Sequence, residues 1–305
     1  MSGRTRMSVG VAVAATTSLA LVGVSAGSAI SAPHATKTIA ATPKLKVKVS
    51  KHKFKVHGPS AFQPGTVALT GIGKGGNGAF EIVRLKHGYT YHQLRQDIKT
   101  FGASYGPKGP SKSGLKAFHR ALANSTEYGG LAPSQGQKLR GSVKLNKAGT
   151  YYLFNDSTNT PKPHPVILTV SGPKAHRAPV ATSATVKATK KARWHGDKTL
   201  PAKGTIKFKN ISKGMHKSPH FVDLERVKPG TTRKDVLDFF ANGHGRPPFA
   251  VPGPSVDSDI VGPHQSMTLR YKLHRGSYAL MCFFPDPMTG IPHAFMGMVR
   301  IVNLK

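Results

Sequence analysis

The stretch that decides the fold covers residues 276–299 and reads Gly-Ser-Tyr-Ala-Leu-Met-Cys-Phe-Phe-Pro-Asp-Pro-Met-Thr-Gly-Ile-Pro-His-Ala-Phe-Met-Gly-Met-Val. It starts as an apolar strand, continues after Cys282 as a loop rich in Pro and Gly, and ends in a second apolar run near Met298. His293 lies late in the loop. A thiolate, an imidazole and a thioether in this order are ligand types that suit copper. The stretch therefore predicts two strands joined by a ligand-bearing loop.

Cys282 is the only cysteine of the chain, so it has no partner for an internal disulfide. Three interpretations remain for it: a buried apolar residue, a reactive thiol or a metal ligand. Taken alone, a cysteine at the end of an apolar strand is more often a core residue. The nearby His293 and Met298 favour the metal ligand.

The N-terminal residues 1–32 have the pattern of a signal peptide. Arg4 and Arg6 precede an apolar run over 9–24, and several Ala and Ser residues over 26–32 offer cleavage positions. A membrane anchor is the alternative, but the run is short and contains Gly23. We expect a secreted, extracytoplasmic protein in the cell wall or periplasm, with no transmembrane span in the mature chain.

The composition indicates short strands and a basic surface. The 305 residues include 33 Gly and 23 Pro, which interrupt long helices, and the formal net charge is +33. The Lys and Arg residues form no long block and alternate with no aromatic pattern, so we expect no specific nucleic-acid partner. Anionic cell-wall polymers are possible partners, and a solvated basic surface without any partner is the alternative.

The chain repeats an order of strands and a helix. A basic linker over 33–53 is predicted to precede two domains, 54–172 and 180–305. In the first domain, strands at 65–70 and 81–86 precede a helix that begins near Gly88, and a second helix is predicted over 112–124. In the second domain, strands at 204–208 and 220–227 precede a helix that begins near Pro229.

Both domains close with similar segments. The runs 142–145 and 148–154 of the first domain, and 267–271 and 275–281 of the second, are interpreted as hairpins. A Pro-His pair and a last strand follow in each domain. The pattern predicts an all-β fold of two Greek-key β-sandwich domains, each with a short inserted helix.

Residues 180–305 resemble the cupredoxins, the plastocyanin-like blue-copper domains, and more closely exported bacterial cupredoxin-like domains. The resemblance rests on three motifs: Pro219-His220-Phe221, the run 276–282, and the run 292–299. It implies that His220, Cys282, His293 and Met298 bind one copper ion in the second domain. Met298 lies five positions after His293, as in the family pattern.

Alternatives exist for these ligands. His216 competes with His220, and Met296 competes with Met298 as the axial group. His293 could be an ordinary loop histidine, because His164 occupies the corresponding place in the first domain. The loop that contains Pro285 and Gly290 would have to leave the site and return His293 to it.

The first domain lacks most of these ligands. Aligning the repeats places Gly78, Asn155 and Thr169 opposite His220, Cys282 and Met298, and leaves only His164. We therefore expect residues 54–172 to be a degenerate cupredoxin-like copy without metal.

The resemblance implies type 1 copper electron transfer with an unknown redox partner, or extracytoplasmic holding of copper. The alternative is a copper-free β-sandwich protein that binds anionic cell-wall polymers or a protein partner through its basic surface. We expect no enzyme activity. The sequence contains no His-X-His motif and only 12 acidic residues, and a catalytic thiol at Cys282 is disfavoured by its apolar context.

Overall fold

The computed structural model describes residues 39–106, 109–158, 161–213 and 218–305. The predicted signal peptide, the beginning of the predicted linker and the alternative ligand His216 lie outside the described residues. Within the described ranges, no helix has the length and apolar character needed to cross a membrane.

The first half of the chain consists of short strands with two helices between them. The strands are β1 (Lys44–Val49), β2 (Phe54–His57), β3 (Ala61–Phe62), β4 (Gly65–Gly73), β5 (Phe80–Leu85), β6 (Tyr105–Gly106), β7 (Gly109–Pro110), β8 (Ser125–Leu131), β9 (Lys138–Leu145), β10 (Gly149–Asn155) and β11 (Val166–Val170). The helices are α1 (Tyr91–Ala103) and α2 (Lys112–Asn124).

The second half also consists of short strands, with one helix between them. Its strands are β12 (Ala184–Ala188), β13 (Trp194–Gly196), β14 (Thr199–Leu200), β15 (Lys203–Asn210), β16 (Asp223–Arg226), β17 (Val256–Asp257), β18 (Ser266–Lys272), β19 (Gly276–Met281) and β20 (Val299–Leu304). The helix is α3 (Arg233–Asn242).

The strands form two sandwich layers, and one layer is shared by both halves. The shared sheet has eight strands in the order β13-β12-β15-β18-β9-β4-β1-β2. The opposite layer of the first half is β3-β11-β10-β5-β8, and that of the second half is β14-β20-β19-β16-β17. The prediction of an all-β fold with two sandwich halves and inserted helices is confirmed, whereas the domain boundaries and the duplication stay predictions.

The shared sheet is continuous because β9 pairs antiparallel with β18. The pairs in register include Val143 with Met267 and Arg140 with Arg270. The described residues accordingly form one compact unit.

The predicted hairpins are wrong. β9 and β10 follow each other in sequence but lie in different sheets, as do β18 and β19. The short connections cross from one layer of the sandwich to the other. Gly149 and Gly276 begin β10 and β19 with φ of 134° each, a conformation that glycine adopts without the steric cost of a side chain.

The expected linker over 33–53 is also wrong for residues 44–49, which form β1. Lys44 and Lys46 are exposed, while Leu45, Val47 and Val49 are buried. This alternation with a period of two is that of a strand with one face on the core. β1 pairs parallel with β4 and antiparallel with β2.

The helices begin where side chains cap their first turns. Thr90 before α1 and Thr232 before α3 each accept a hydrogen bond from the backbone N–H three residues later. In return, the side chain of Gln93 in α1 accepts from the Thr90 N–H, and that of Asp235 in α3 accepts from the Thr232 N–H. Both helices therefore begin with a capping box. The helices predicted near Gly88, over 112–124 and near Pro229 are confirmed.

Candidate metal centre

Three of the predicted ligands lie on different segments of the second half. His220 precedes β16 and is paired through its backbone with Val261, with hydrogen bonds of 3.1 Å and 2.8 Å. Cys282 directly follows β19, so the strand fixes its backbone. His293 lies in the connection from β19 to β20, and its N–H donates to the Phe284 carbonyl at 3.0 Å.

The structure brings these three side chains into one buried group. The Cys282 Sγ atom lies 3.7 Å from His220 Nδ1 and 3.8 Å from His293 Nδ1. All three side chains are almost fully enclosed, and their ligand atoms lie within 4.8 Å of one another. The two imidazole rings are inclined to each other, with centroids 4.6 Å apart.

The spacing of these atoms fits a trigonal metal ion. Sulfur at about 2.3 Å and nitrogen at about 2.0 Å from one ion, at an angle near 120°, would be about 3.7 Å apart. The observed distances of 3.7 Å and 3.8 Å match this value. Two imidazoles and one thiolate are also the donor set of trigonal copper sites. The group formed by His220, Cys282 and His293 can therefore hold a copper ion.

The long connection between Cys282 and His293 folds out as a compact turn. Pro285 and Pro292 face each other at its base. The Asp286 side chain closes the turn, because its Oδ1 atom accepts bonds of 2.9 Å from the N–H groups of Met288 and Thr289. The Asp286 N–H donates to the Ile291 carbonyl at 2.9 Å. The excursion therefore returns His293 to the site despite the spacing of eleven positions.

The two candidate axial methionines have different surroundings. Met298 is completely buried and packs in the same core cluster as Cys282, whereas Met296 is 39% exposed. The Met298 N–H donates to the His293 carbonyl at 2.8 Å, and its own carbonyl accepts from Trp194 Nε1 at 3.2 Å. These bonds fix the backbone of Met298 beside the ligand loop.

Burial keeps all three side chains of the group uncharged near neutral pH. It raises the pKa of the Cys282 thiol to about 12, against the N–H groups of Phe221 and Phe284. It lowers the pKa of His293 to about 4, against the charge of Asp286. Burial, followed by the nearby His293, lowers the pKa of His220 well below its usual value, while the backbone of Thr189 opposes this shift. Both imidazoles are thus neutral and each has one nitrogen with a free lone pair, whereas a metal that binds must displace one proton from the thiol.

Hydrogen bonds around the group orient the ligands. The Phe221 N–H points to Cys282 Sγ at 3.5 Å. The Ser218 hydroxyl lies 3.4 Å from His293 Nε2, which leaves Nδ1 to face the sulfur.

Asn210 lies beside the group and was not among the predicted site residues. Its amide donates to the carbonyls of Ser218 and Val261 at 2.7 Å and 2.8 Å. Since Val261 pairs with His220, these two bonds hold the segment before His220 in place. Its Oδ1 accepts from the Ser212 N–H and hydroxyl. The sequence signal was the triplet Asn210-Ile211-Ser212 at a strand end, which is typical of an Asx turn.

Residues of the first half cover the ligand loop. The Tyr105 hydroxyl donates to the Gly290 carbonyl at 2.6 Å, and His119 Nε2 contacts the Pro287 carbonyl oxygen. Phe118 packs against Phe284, with ring centroids 5.7 Å apart. No local sequence pattern predicts these contacts, because their partners are far apart in the chain.

The first half offers no matching group among its described residues. A side chain at Gly78 would overlap the backbone of Val49, and the amide of Asn155 is bonded to the Ser50 carbonyl. His164 and Thr169 are exposed. The absence of metal from this half stays a prediction.

No protein-family model matches the chain. No curated protein matches it. Among solved structures, the auracyanin of Roseiflexus castenholzii is 20% identical over 41% of this chain and 99% of its own, with a TM-score of 0.26. Auracyanin A, the blue copper protein of Chloroflexus aurantiacus, is 11% identical over 40% and 98%, with a TM-score of 0.23. The copper nitrite reductase of Nitrosomonas europaea is 10% identical over 86% and 93%, with a TM-score of 0.22.

These comparisons correct one expectation from the sequence. We expected no enzyme activity, but the similar structures include copper nitrite reductases and multicopper oxidases, which are enzymes.

Proposed function

We propose that the chain is an exported copper protein whose second half binds one copper ion through His220, Cys282 and His293, with Met298 as a weak axial ligand. The observation that carries the proposal is the pair of sulfur–nitrogen distances, 3.7 Å and 3.8 Å, in a fully buried group. A copper ion in such a donor set would accept and release single electrons with little rearrangement, because thiolate suits Cu(I) and imidazole suits both oxidation states.

The protein's own residues support single-electron exchange. His220 lies just before β16 and Cys282 directly after β19, so these strands fix the two ligands before any metal binds. The turn closed by Asp286 fixes His293 in the same way. Core packing around Cys282 excludes water and further ligands. A rigid and dry site of this kind suits electron transfer better than uptake and release of copper, although extracytoplasmic holding of copper stays the second candidate.

An exposed apolar surface lies over the ligand loop. Met288, Ile291, Phe295 and Met296 are between 39% and 59% exposed, and they lie on the two turns on either side of His293. Exposed apolar side chains that lie close together mark contact sites for other proteins. We propose that the unknown redox partner approaches here.

The test is to add Cu(II) to the purified full-length chain and to record absorption and electron paramagnetic resonance. We expect an intense visible band from charge transfer between the thiolate and copper, at one copper per chain. A site that binds copper without this band would contradict thiolate ligation. Failure to bind copper would leave the copper-free alternative, a protein that binds anionic polymers through its basic surface.

A further inference from the structure

A second group of converging side chains lies between the two halves, and it contains only carboxylates. Glu81 is on β5, Asp156 directly follows β10, and Asp259 follows β17. Their ligand atoms lie within 4.8 Å of one another. Glu81 and Asp156 thus come from the first half of the chain, and Asp259 comes from the second.

Asp259 is held against the first half by backbone contacts. Its N–H donates to the Gly130 carbonyl at 3.0 Å. Gly130 is paired with Glu81 across β8 and β5. A Cβ atom at Gly130 would lie 1.7 Å from the Phe80 carbonyl oxygen and 3.0 Å from Asp259 Cβ, so only glycine fits at this point.

Two carboxylates of this group are buried without enough partners. Glu81 and Asp259 are only 4% and 5% exposed. Glu81 Oε1 and Asp259 Oδ2 have no hydrogen-bond partner among the described residues. Asp259 Oδ1 accepts from the Ile260 N–H at 2.8 Å, which leaves the other oxygen of that carboxylate for a ligand.

A buried carboxylate without a partner is costly, and three close together are more so. Either protons or a bound cation must neutralise them. Two oxygens bound to one Ca²⁺ at about 2.3–2.6 Å each lie at most about 5 Å apart. The observed limit of 4.8 Å is within that range.

A cavity of about 630 Å³ connects to the group. Glu81 and Asp156 line it, and Asp156 is only partly buried, so an ion can reach the group from this side. The remaining wall is mostly apolar and includes Phe101, Phe118 and Phe284. Apolar side chains offer no ligands. The Glu127 carboxylate also lines the cavity but accepts from the Ser125 hydroxyl at 2.5 Å, which leaves Glu81, Asp156 and Asp259 as the place where a cation would stop.

We propose that Glu81, Asp156 and Asp259 bind one hard divalent cation of the Ca²⁺ or Mn²⁺ class, which links the two halves of the chain. Oxygen ligands select such ions over soft metals. The site is separate from the copper group, which has sulfur and nitrogen donors. The net charge of +33 repels cations from the surface, so an ion that binds in spite of this charge points to a specific site.

The experiment is a titration of the copper-free, full-length chain with Mn²⁺, followed by the loss of the free Mn²⁺ electron paramagnetic resonance signal. We expect one Mn²⁺ per chain, displaced by excess Ca²⁺. Glu81→Gln and Asp156→Asn should each weaken Mn²⁺ binding at least tenfold. Ca²⁺ should raise the melting temperature of the wild-type chain and leave that of Glu81→Gln unchanged.

Two controls separate this site from others. Asp257→Asn changes a half-buried carboxyl outside the group, which accepts from the Ser255 hydroxyl at 2.8 Å, and should leave Mn²⁺ affinity within about twofold. Cys282→Ser removes the thiol of the copper group and should also leave Mn²⁺ affinity within about twofold. Absence of Mn²⁺ binding by the wild-type chain would show that protons alone neutralise the carboxylates and would overturn the proposal. Binding that survives Glu81→Gln and Asp156→Asn, or that is lost in Cys282→Ser, would also overturn it.

Discussion

The Tyr105 hydroxyl and the Gly290 carbonyl oxygen are 2.6 Å apart, and their hydrogen bond ties the first half to the turn that precedes His293. Gly290 has φ of 72°, and a side chain there would collide with Pro110. The turn therefore meets β6 and β7 at a point where only glycine fits. The position of a candidate copper ligand thus depends on a residue that belongs to the other half.

Tyr105→Phe should destabilise the ligand loop without removing a ligand. We expect a loss of about 0.5–1.5 kcal/mol in the free energy of unfolding, because one hydrogen bond disappears. Copper should also transfer faster to a chelator, which stopped-flow absorption would measure. Tyr271→Phe is the matched control, since the Tyr271 hydroxyl is buried with no partner among the described residues. An equal effect of both changes would exclude a specific role for the Tyr105 contact.

Cys282→Ser should abolish the visible colour of the copper protein, because the charge-transfer band requires the thiolate. Met298→Leu should keep a coloured site and shift its reduction potential, since an axial thioether is a weak ligand. Met296→Leu, at an exposed position, should change neither property. Absorption spectra and potentiometric titration give the answer. Complete loss of copper in Met298→Leu would make Met298 a primary ligand.

Copper should bind only in the second half, at one ion per chain. His293→Ala should lose tight copper binding, whereas His164→Ala should keep it, because His164 is exposed and belongs to no group of candidate ligands among the described residues. Metal analysis after dialysis measures the stoichiometry. Two copper ions per chain, or loss of one in His164→Ala, would show that the first half also binds metal.

When a chelator keeps the chain free of metal, the buried carboxyl group should make the free energy of unfolding fall as pH rises from about 4 to 7. Burial raises the pKa of Asp259 to about 7, against the N–H of Ile260. Burial and the nearby Asp259 also raise the pKa of Glu81 and Asp156 well above their usual values. Unfolded carboxyls titrate near pH 4. The folded state therefore holds more protons in this window, and deprotonation destabilises it.

The measurement is urea denaturation between pH 4.5 and 8 of the wild-type chain and of Asp259→Asn. We expect the free energies of unfolding of the two proteins to diverge as pH rises, because Asp259→Asn lacks the destabilising deprotonation and loses less stability than the wild-type chain. His293, whose pKa is lowered to about 4, contributes a slope of the opposite sign that is common to both proteins. Parallel curves would mean that Asp259 does not titrate in this range.

The basic surface should give salt-dependent adsorption to anionic polymers without any need for copper. Screening lengths fall from roughly 30 Å at 0.01 M to roughly 3 Å at 1 M ionic strength. Retention on an anionic matrix should therefore fall steeply with salt, and equally for the wild-type chain and Cys282→Ser. Retention that resists salt would point to a specific contact surface instead.

The strands and the sandwich class were predictable because each strand carries its own local pattern. The alternation in β4 and the apolar run in β19 predict their burial directly. The sheet to which a strand belongs was not predictable in this way. β9 and β10 have the short connection of a hairpin, but their pairing partners are chosen by contacts with β18 and β5.

The ligand group was predictable in its residue types and order, since Cys282, His293 and Met298 lie within one stretch. The carboxylate group was not. Glu81, Asp156 and Asp259 are separated by long segments, and nothing in their local sequence marks them. Only the packing of β5 and β8 against the segment after β17 brings them together.

The pairing of β9 with β18 has a consequence for any fragment of this protein. Through it, each half completes the sheet of the other with backbone hydrogen bonds. Cutting the chain between the halves would leave an open strand edge on both pieces, and such edges recruit further strands. A separate second half would then pair with copies of itself along β18, so self-association would accompany any attempt to isolate the copper-binding part.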